Sequence, residues 1–141
     1  MNTSCQIHID LANHFETPYV KIKYIREKRL VKNTFKGFYS EENSQFALVK
    51  LLQIARNNQC CRLLFDMRKW RTTSDDTLQW FGCVWLPLAY RAGIKINAFV
   101  IGENQNKETI VTRTTTAPLS NRFDVAYFQN VDDAENWLLK K

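Results

Sequence analysis

Residues 61–93, CRLLFDMRKWRTTSDDTLQWFGCVWLPLAYRAG, constrain this chain more than any other stretch. Cys61 to Phe65 is short and apolar, bounded by polar residues, and runs into Asp66; it fits a central parallel strand buried on both faces. A polar loop follows. A helix then opens at Thr73 or Ser74, with Leu78, Phe81, Trp85, Leu88 and Ala92 as one apolar stripe that Trp80 and Val84 widen. Gly93 is placed for its C-cap. Pro87 deletes one backbone hydrogen bond, so the last turn should be kinked or loosened. Strand, loop and helix in this order form one unit of an α/β domain, and the loop lies where such folds usually put their chemistry.

The flanking segments repeat the pattern. Pro18 to Tyr24 alternates apolar and basic residues, the period-two sign of a half-buried strand. Arg26 to Arg29 makes a turn, and Leu30 to Phe35 returns with Val31 and Phe35 on one face until Gly37 breaks it. Ser40-Glu41-Glu42 is a helix start, a capping hydroxyl followed by two acids that complement the helix dipole. Leu48, Leu51, Leu52 and Ala55 then recur at helical spacing, and the helix ends near Asn57-Asn58. Ile94 to Ile101 is another strand. Thr109 to Thr116 has strong β propensity, yet its place after a strand argues for a crossover helix ended by Pro118. Phe123 to Phe128 is the last strand, and Asp132 caps a C-terminal helix bearing Ala134, Trp137 and Leu138.

The order β-β-α-β-α-β-α-β-α gives an α/β fold. An N-terminal β-hairpin leads into a right-handed β-α superhelix, with a five-stranded mixed, mostly parallel sheet and about four helices. Residues 1–17 read as an N-terminal extension and 18–141 as a single domain. A chain of 141 residues with 45% hydrophobic and 24% charged content suits one soluble globule. No apolar run approaches the ~18 residues of a membrane span. The N-terminus has neither the basic region nor the apolar core of a secretory signal.

The spacing of Cys5, Cys60, Cys61 and Cys83 is neither a disulfide framework nor a metal motif, which points to a reduced, cytoplasmic protein. His8 and His14 are the only histidines, too few for a zinc centre without clustered cysteines or carboxylates. No nucleophile elbow, Walker loop or dinucleotide fingerprint occurs, and four scattered glycines build no phosphate cradle. Neither a catalytic residue, nor a metal, nor a cofactor is expected.

A set of ordered positions runs through most of the chain. They are Thr17-Pro18-Tyr19, Gly37-Phe38, Leu64-Phe65-Asp66 with Arg68, and Asp76 with Gln79-Trp80. Pro87, Ala92-Gly93-Ile94-Lys95, Ala98, and Ala134 with Trp137-Leu138 complete it. Together they resemble a family of uncharacterised single-domain bacterial proteins with the STAS (SpoIIAA-like) fold, shared with CRAL-TRIO lipid-exchange domains. The resemblance implies a four-turn β-α superhelix after the hairpin and brings no activity with it. STAS anti-sigma-factor antagonists place an Asp-Ser-Ser/Thr-Gly phosphorylation motif at the start of the second helix. Here Thr72-Thr73-Ser74-Asp75-Asp76 lacks that glycine and sets two acids after the serine, which would repel a phosphate on Ser74. CRAL-TRIO carriers are larger, with additional N-terminal helices that are not expected in these 141 residues.

Two candidate sites follow. Asp66 ends a buried strand at the carboxyl edge of the sheet, and with Arg68, Trp70, Arg71 and Asp76 it could line a polar pocket walled by Trp80. The plainer reading is that Asp66 pairs with Arg68 or caps loop amides while Trp80 belongs to the core. The free amides before Asp76 could attract an anion, but the acids there already occupy that field.

The second site is the basic hairpin, where Lys21, Lys23, Lys32 and Lys36 carry much of the net charge of +6. It would attract an acidic protein, acidic lipid or nucleic acid, or else protect an edge strand from aggregation. Few aromatics accompany it, which argues against sequence-specific nucleic-acid reading.

The leading functional expectation is a non-enzymatic cytoplasmic module acting by protein–protein contact with an unknown partner. The alternative is a small-molecule or lipid carrier with a pocket at the carboxyl edge of the sheet. A second copy of the chain, docked through the hairpin edge or the second helix, is a further candidate partner, although no heptad or symmetric signal marks it.

Overall fold

The computed structural model describes residues 13–72, 76–103, 105 and 107–141, the side chains of 38, 39, 72 and 113 excepted. Its first elements are β1 (His14–Glu16), β2 (Val20–Ile25), β3 (Leu30–Phe35), the two-residue β4 (Phe38–Tyr39) and α1 (Glu41–Asn57). There follow β5 (Arg62–Asp66), the two-residue β6 (Arg71–Thr72), α2 (Asp76–Trp80), a π-helical turn over Phe81–Trp85, α3 (Leu86–Arg91) and β7 (Ile96–Val100). The chain closes with α4 (Lys107–Thr115), a 3-10 turn at Ser120–Arg122, β8 (Asp124–Phe128) and α5 (Val131–Leu139).

The main sheet has the order β1-β2-β3-β5-β7-β8, and β4 pairs with β6 as a small parallel ribbon. The β1–β2 and β2–β3 ladders are antiparallel; those from β3 through β5 and β7 to β8 are parallel. The sheet thus holds six strands where the sequence pattern implied five. The extra one is His14–Glu16, inside the stretch read as an extension; three residues are too few to show a period.

Local chemistry explains most boundaries. The Ser40 hydroxyl accepts from the Asn43 N–H at 3.0 Å and starts α1. Asn130, rather than the expected Asp132, caps α5: its side chain accepts from the Asp133 N–H at 2.9 Å, and Asp132 sits in the first turn. Gly93 follows α3 at a φ of +95°, a left-handed position that suits only glycine well. Residues 107–115 are helical despite their threonines. The hydroxyls of Thr114, Thr115 and Thr116 bond back to the carbonyls of Ile110, Val111 and Thr112, which satisfies them within the helix. The expected helix start at Thr73 or Ser74 lies outside the described residues.

The second helix departs from expectation at its centre rather than its last turn. The Leu86 N–H bonds to the Phe81 carbonyl, five residues back, so one turn is π-helical. Pro87 then enters α3 in its first turn, where a missing N–H costs little. The wide turn slips the apolar phase: Leu78, Phe81 and Trp85 are buried, and the stripe continues through Leu86 and Ala89. Leu88, expected inside, is 41% exposed.

Two cores result. The larger lies between one sheet face and the layer of α1 and the second helix, joining Val20, Ile22, Val31, Phe65 and Phe99 to Leu51, Ile54 and Trp85. Trp85 is fully buried and donates its indole N–H to the Leu48 carbonyl at 2.8 Å, locking the two helices together. On the other face, α5 seats Ala134 and Leu138 on Leu30, Leu64, Ala98 and Val100.

Candidate functional site

The alternation that formed the hairpin also decides where its charges go. In β2 and β3, Val20, Ile22, Val31 and Phe35 point into the larger core, so Lys21, Lys23, Lys32 and Thr34 point the other way. Register aligns them in two cross-strand rows. One runs His14–Lys23–Lys32–Leu64, and the next Glu16–Lys21–Thr34–Asp66. Because α5 packs over β5, β7 and β8, no helix among the described residues covers the part of this face built by β1 and β2.

The charges on the face are only partly matched. Lys36 pairs with Glu16 and holds its carboxyl below the ordinary value, and Lys28 in the hairpin turn pairs with Glu135 of α5. Lys21, Lys23 and Lys32 have no salt-bridge partner among the described residues. The four lysines singled out in the sequence therefore share one face, three of them with charge to spare.

Asp66 borders this face at the carboxyl end of β5. Its side chain is only 7% exposed and is held in a fork: Arg68 Nε reaches Oδ1 at 2.9 Å, Arg68 Nη2 reaches Oδ2 at 2.8 Å, and the Arg68 N–H adds a third bond at 3.2 Å. Burial alone would raise the Asp66 carboxyl, yet the hydrogen bonds and charge of Arg68, with help from Lys32, hold it below the usual carboxylate range. It is thus an ionised anchor for Arg68, not a free base. Beside the pair, an open cleft of about 530 Å³ is lined by Pro18, Thr34, Phe35, Lys36, Asp66, Arg68 and Lys69.

Gln105 fixes the loop that presents this arginine. Its amide nitrogen donates to the carbonyls of Met67 and Trp70, the latter at 3.0 Å, while its oxygen accepts from the Gly102 N–H at 2.8 Å. No motif in the sequence marks Gln105, and only the approach of two loops shows its role.

The other candidates separate. Trp70 is 8% exposed and turns into the larger core, its ring tilted against that of Phe35 at 5.8 Å. It lines a small apolar cavity with Ser44, Leu48, Phe65, Leu78 and Phe99 that leaves about 20 Å³ for the centre of a water molecule. Its indole N–H and the Ser44 hydroxyl have no hydrogen-bond partner among the described residues. Trp80 packs half-buried against the same core, and Asp76 is exposed. Asp66 and Arg68 therefore share a cleft, while Trp70, Asp76 and Trp80 do not join them in one pocket.

The remaining reactive groups are unremarkable. Burial pushes the Cys60 thiol up, away from the reactive thiolate. No cluster of three or more histidine, cysteine or acidic residues that could hold a metal occurs among the described residues, and no helix there is long and apolar enough to cross a membrane.

An antiparallel hairpin feeding a run of parallel β-α units, with helices on both sheet faces, is the arrangement of a SpoIIAA-like α/β module. The chain is similar to a crystal structure of an uncharacterised protein of the DUF3478 family, with a SpoIIAA-like fold, from Shewanella loihica PV-4. That match has a TM-score of 0.57 and 16% identity, and covers 84% of this chain and 91% of the other. At that identity the likeness shows the fold. No family model and no curated protein matches the sequence.

Proposed function

We propose that this chain is a non-enzymatic module of the bacterial cytoplasm that works by protein–protein contact, docking an acidic partner on the open face of β1–β3. The observation that carries this reading is the pair of cross-strand rows that gathers Lys21, Lys23 and Lys32, without a salt-bridge partner among the described residues, beside the part of the face, at β1 and β2, over which no described helix packs. Like charges this close are unfavourable in isolation, and an acidic partner relieves them while steering the encounter. In the neighbouring cleft Lys69 adds the same sign of charge, while Lys36 and Arg68 are matched there by Glu16 and Asp66. Tyr24 packs half-buried against the larger core and also lines the open cleft that Lys21, Lys23 and Lys32 share.

The proposal predicts that tagged protein captures a partner at low salt, and that the triple variant Lys21→Glu, Lys23→Glu, Lys32→Glu loses it while remaining folded. Capture indifferent to salt and to charge reversal, or turnover of a small substrate, would sink it. A second reading, small-ligand binding, is favoured by one observation only: the unpartnered indole N–H of Trp70 and hydroxyl of Ser44 face the same apolar cavity.

A further inference from the structure

The exposed face of α1 has a pattern that the buried stripe conceals. Glu42, Phe46, Val49, Gln53 and Arg56 fall at intervals of four, three, four and three residues, which is one ridge of a helix. All five are exposed, Phe46 by 56% and Val49 by 41%. The ridge is acidic at its start, apolar in its middle and basic at its end. Beside it runs α3, where the π turn has rotated Val84 and Leu88 to the surface, 43% and 41% exposed. An open groove of about 480 Å³ lies between the helices, with Leu52 in its floor and Arg56 and Arg91 at one end. Neither arginine, nor Glu42, has an ion-pair partner among the described residues.

From this pattern we infer that the α1–α3 face is a self-association surface, on which a second copy of the chain docks about a two-fold axis passing by Val49. Reversing the ridge end for end reproduces its complement. Antiparallel packing sets Glu42 against the copy's Arg56, Phe46 against the copy's Leu52, and Val49 against itself. Every contact is made twice, as an isologous interface requires. The charged ends lie about 21 Å apart at 1.5 Å per residue, and between them the apolar contacts of Phe46, Val49 and Leu52 alternate with a Gln53–Gln45 pairing. A single acidic partner helix would satisfy the arginines and leave Glu42 unmatched; a second copy satisfies both ends. This surface is separate from the basic sheet face, so either assignment can fail without the other.

The test is a charge exchange. Light scattering across a concentration series should show a monomer–dimer equilibrium in the unaltered chain. Glu42→Arg alone and Arg56→Glu alone should each weaken it about tenfold, and the double variant should restore it, because the exchanged pair again matches. Thermal melts check that each variant folds. Independently, Val49→Cys in a background carrying Cys5→Ser, Cys61→Ser and Cys83→Ser should form a disulfide-linked dimer on mild oxidation that the background alone does not form, since the axis brings the two residue-49 positions together. A chain that stays monomeric throughout, or a dimer that none of these changes affects, overturns the inference.

Discussion

Replacing Asp66 by Asn is the most direct probe of the anchor behind the basic cleft. The substitution keeps the shape and removes the charge that Arg68 grips with two side-chain bonds of 2.9 and 2.8 Å. Hydrogen bonds to charged groups contribute about 1.5–3 kcal/mol. Arg68 is 46% exposed, so water replaces part of what is lost, and a net loss of about 1–2 kcal/mol at neutral pH is expected. The pH dependence follows from the lowered carboxyl of Asp66. Such a group stabilises the fold fully above its unfolded value of ~3.9, and the stabilisation fades as pH falls through the still lower folded value. Urea midpoints followed by circular dichroism should therefore separate the two proteins at pH ~7 and draw together progressively as pH falls below the unfolded value of ~3.9. A gap that persists unchanged in acid, or a variant as stable as the parent at neutral pH, would refute the assignment of Asp66 as an ionised anchor.

Two further expectations concern the frame that holds the site. Trp85→Phe removes the bond to the Leu48 carbonyl and part of a ring stacked on Phe81 at 4.8 Å. It should cost about 2–4 kcal/mol, read in calorimetry as a melting point lower by roughly 5–12 °C. Gln105→Ala should leave the fold intact while hydrogen exchange accelerates in the amides of 67–71, because the two bonds from Gln105 to the Met67 and Trp70 carbonyls that tie the loops together are lost. Unaltered exchange there would mean that packing alone holds the loop.

The elements legible in the sequence were those whose signals are local. Lys21 and Lys23 alternate with Val20 and Ile22, and Ser40 caps the helix that the apolar spacing of α1 announces; both patterns act within a few residues. Three features depended on distant partners. His14–Glu16 becomes a strand only because β2 offers it an edge. The π turn is invisible in an apolar stripe that fits an ordinary helix equally well, and it exposes Leu88 although every local preference would bury it. In 107–115 the topology overrode the β propensity of the threonines, with back-bonding hydroxyls lowering the cost. The candidate site was half legible. Asp66 and Arg68 lie two residues apart and meet directly, whereas the fate of Trp70 depends on how the loop turns after β5. Gln105, thirty-five or more residues from the carbonyls it holds, left no trace in the sequence.

The claim that the β1–β3 face receives an acidic protein surface is tested most directly by titrating the isotope-labelled chain with a polyglutamate peptide and following backbone amide resonances. The account predicts shifts concentrated in residues 20–36 and around Arg68, diminishing as salt rises and absent in the Lys21→Glu, Lys23→Glu, Lys32→Glu variant. Shifts confined to the α1–α3 face, or a response that the variant retains in full, would contradict it.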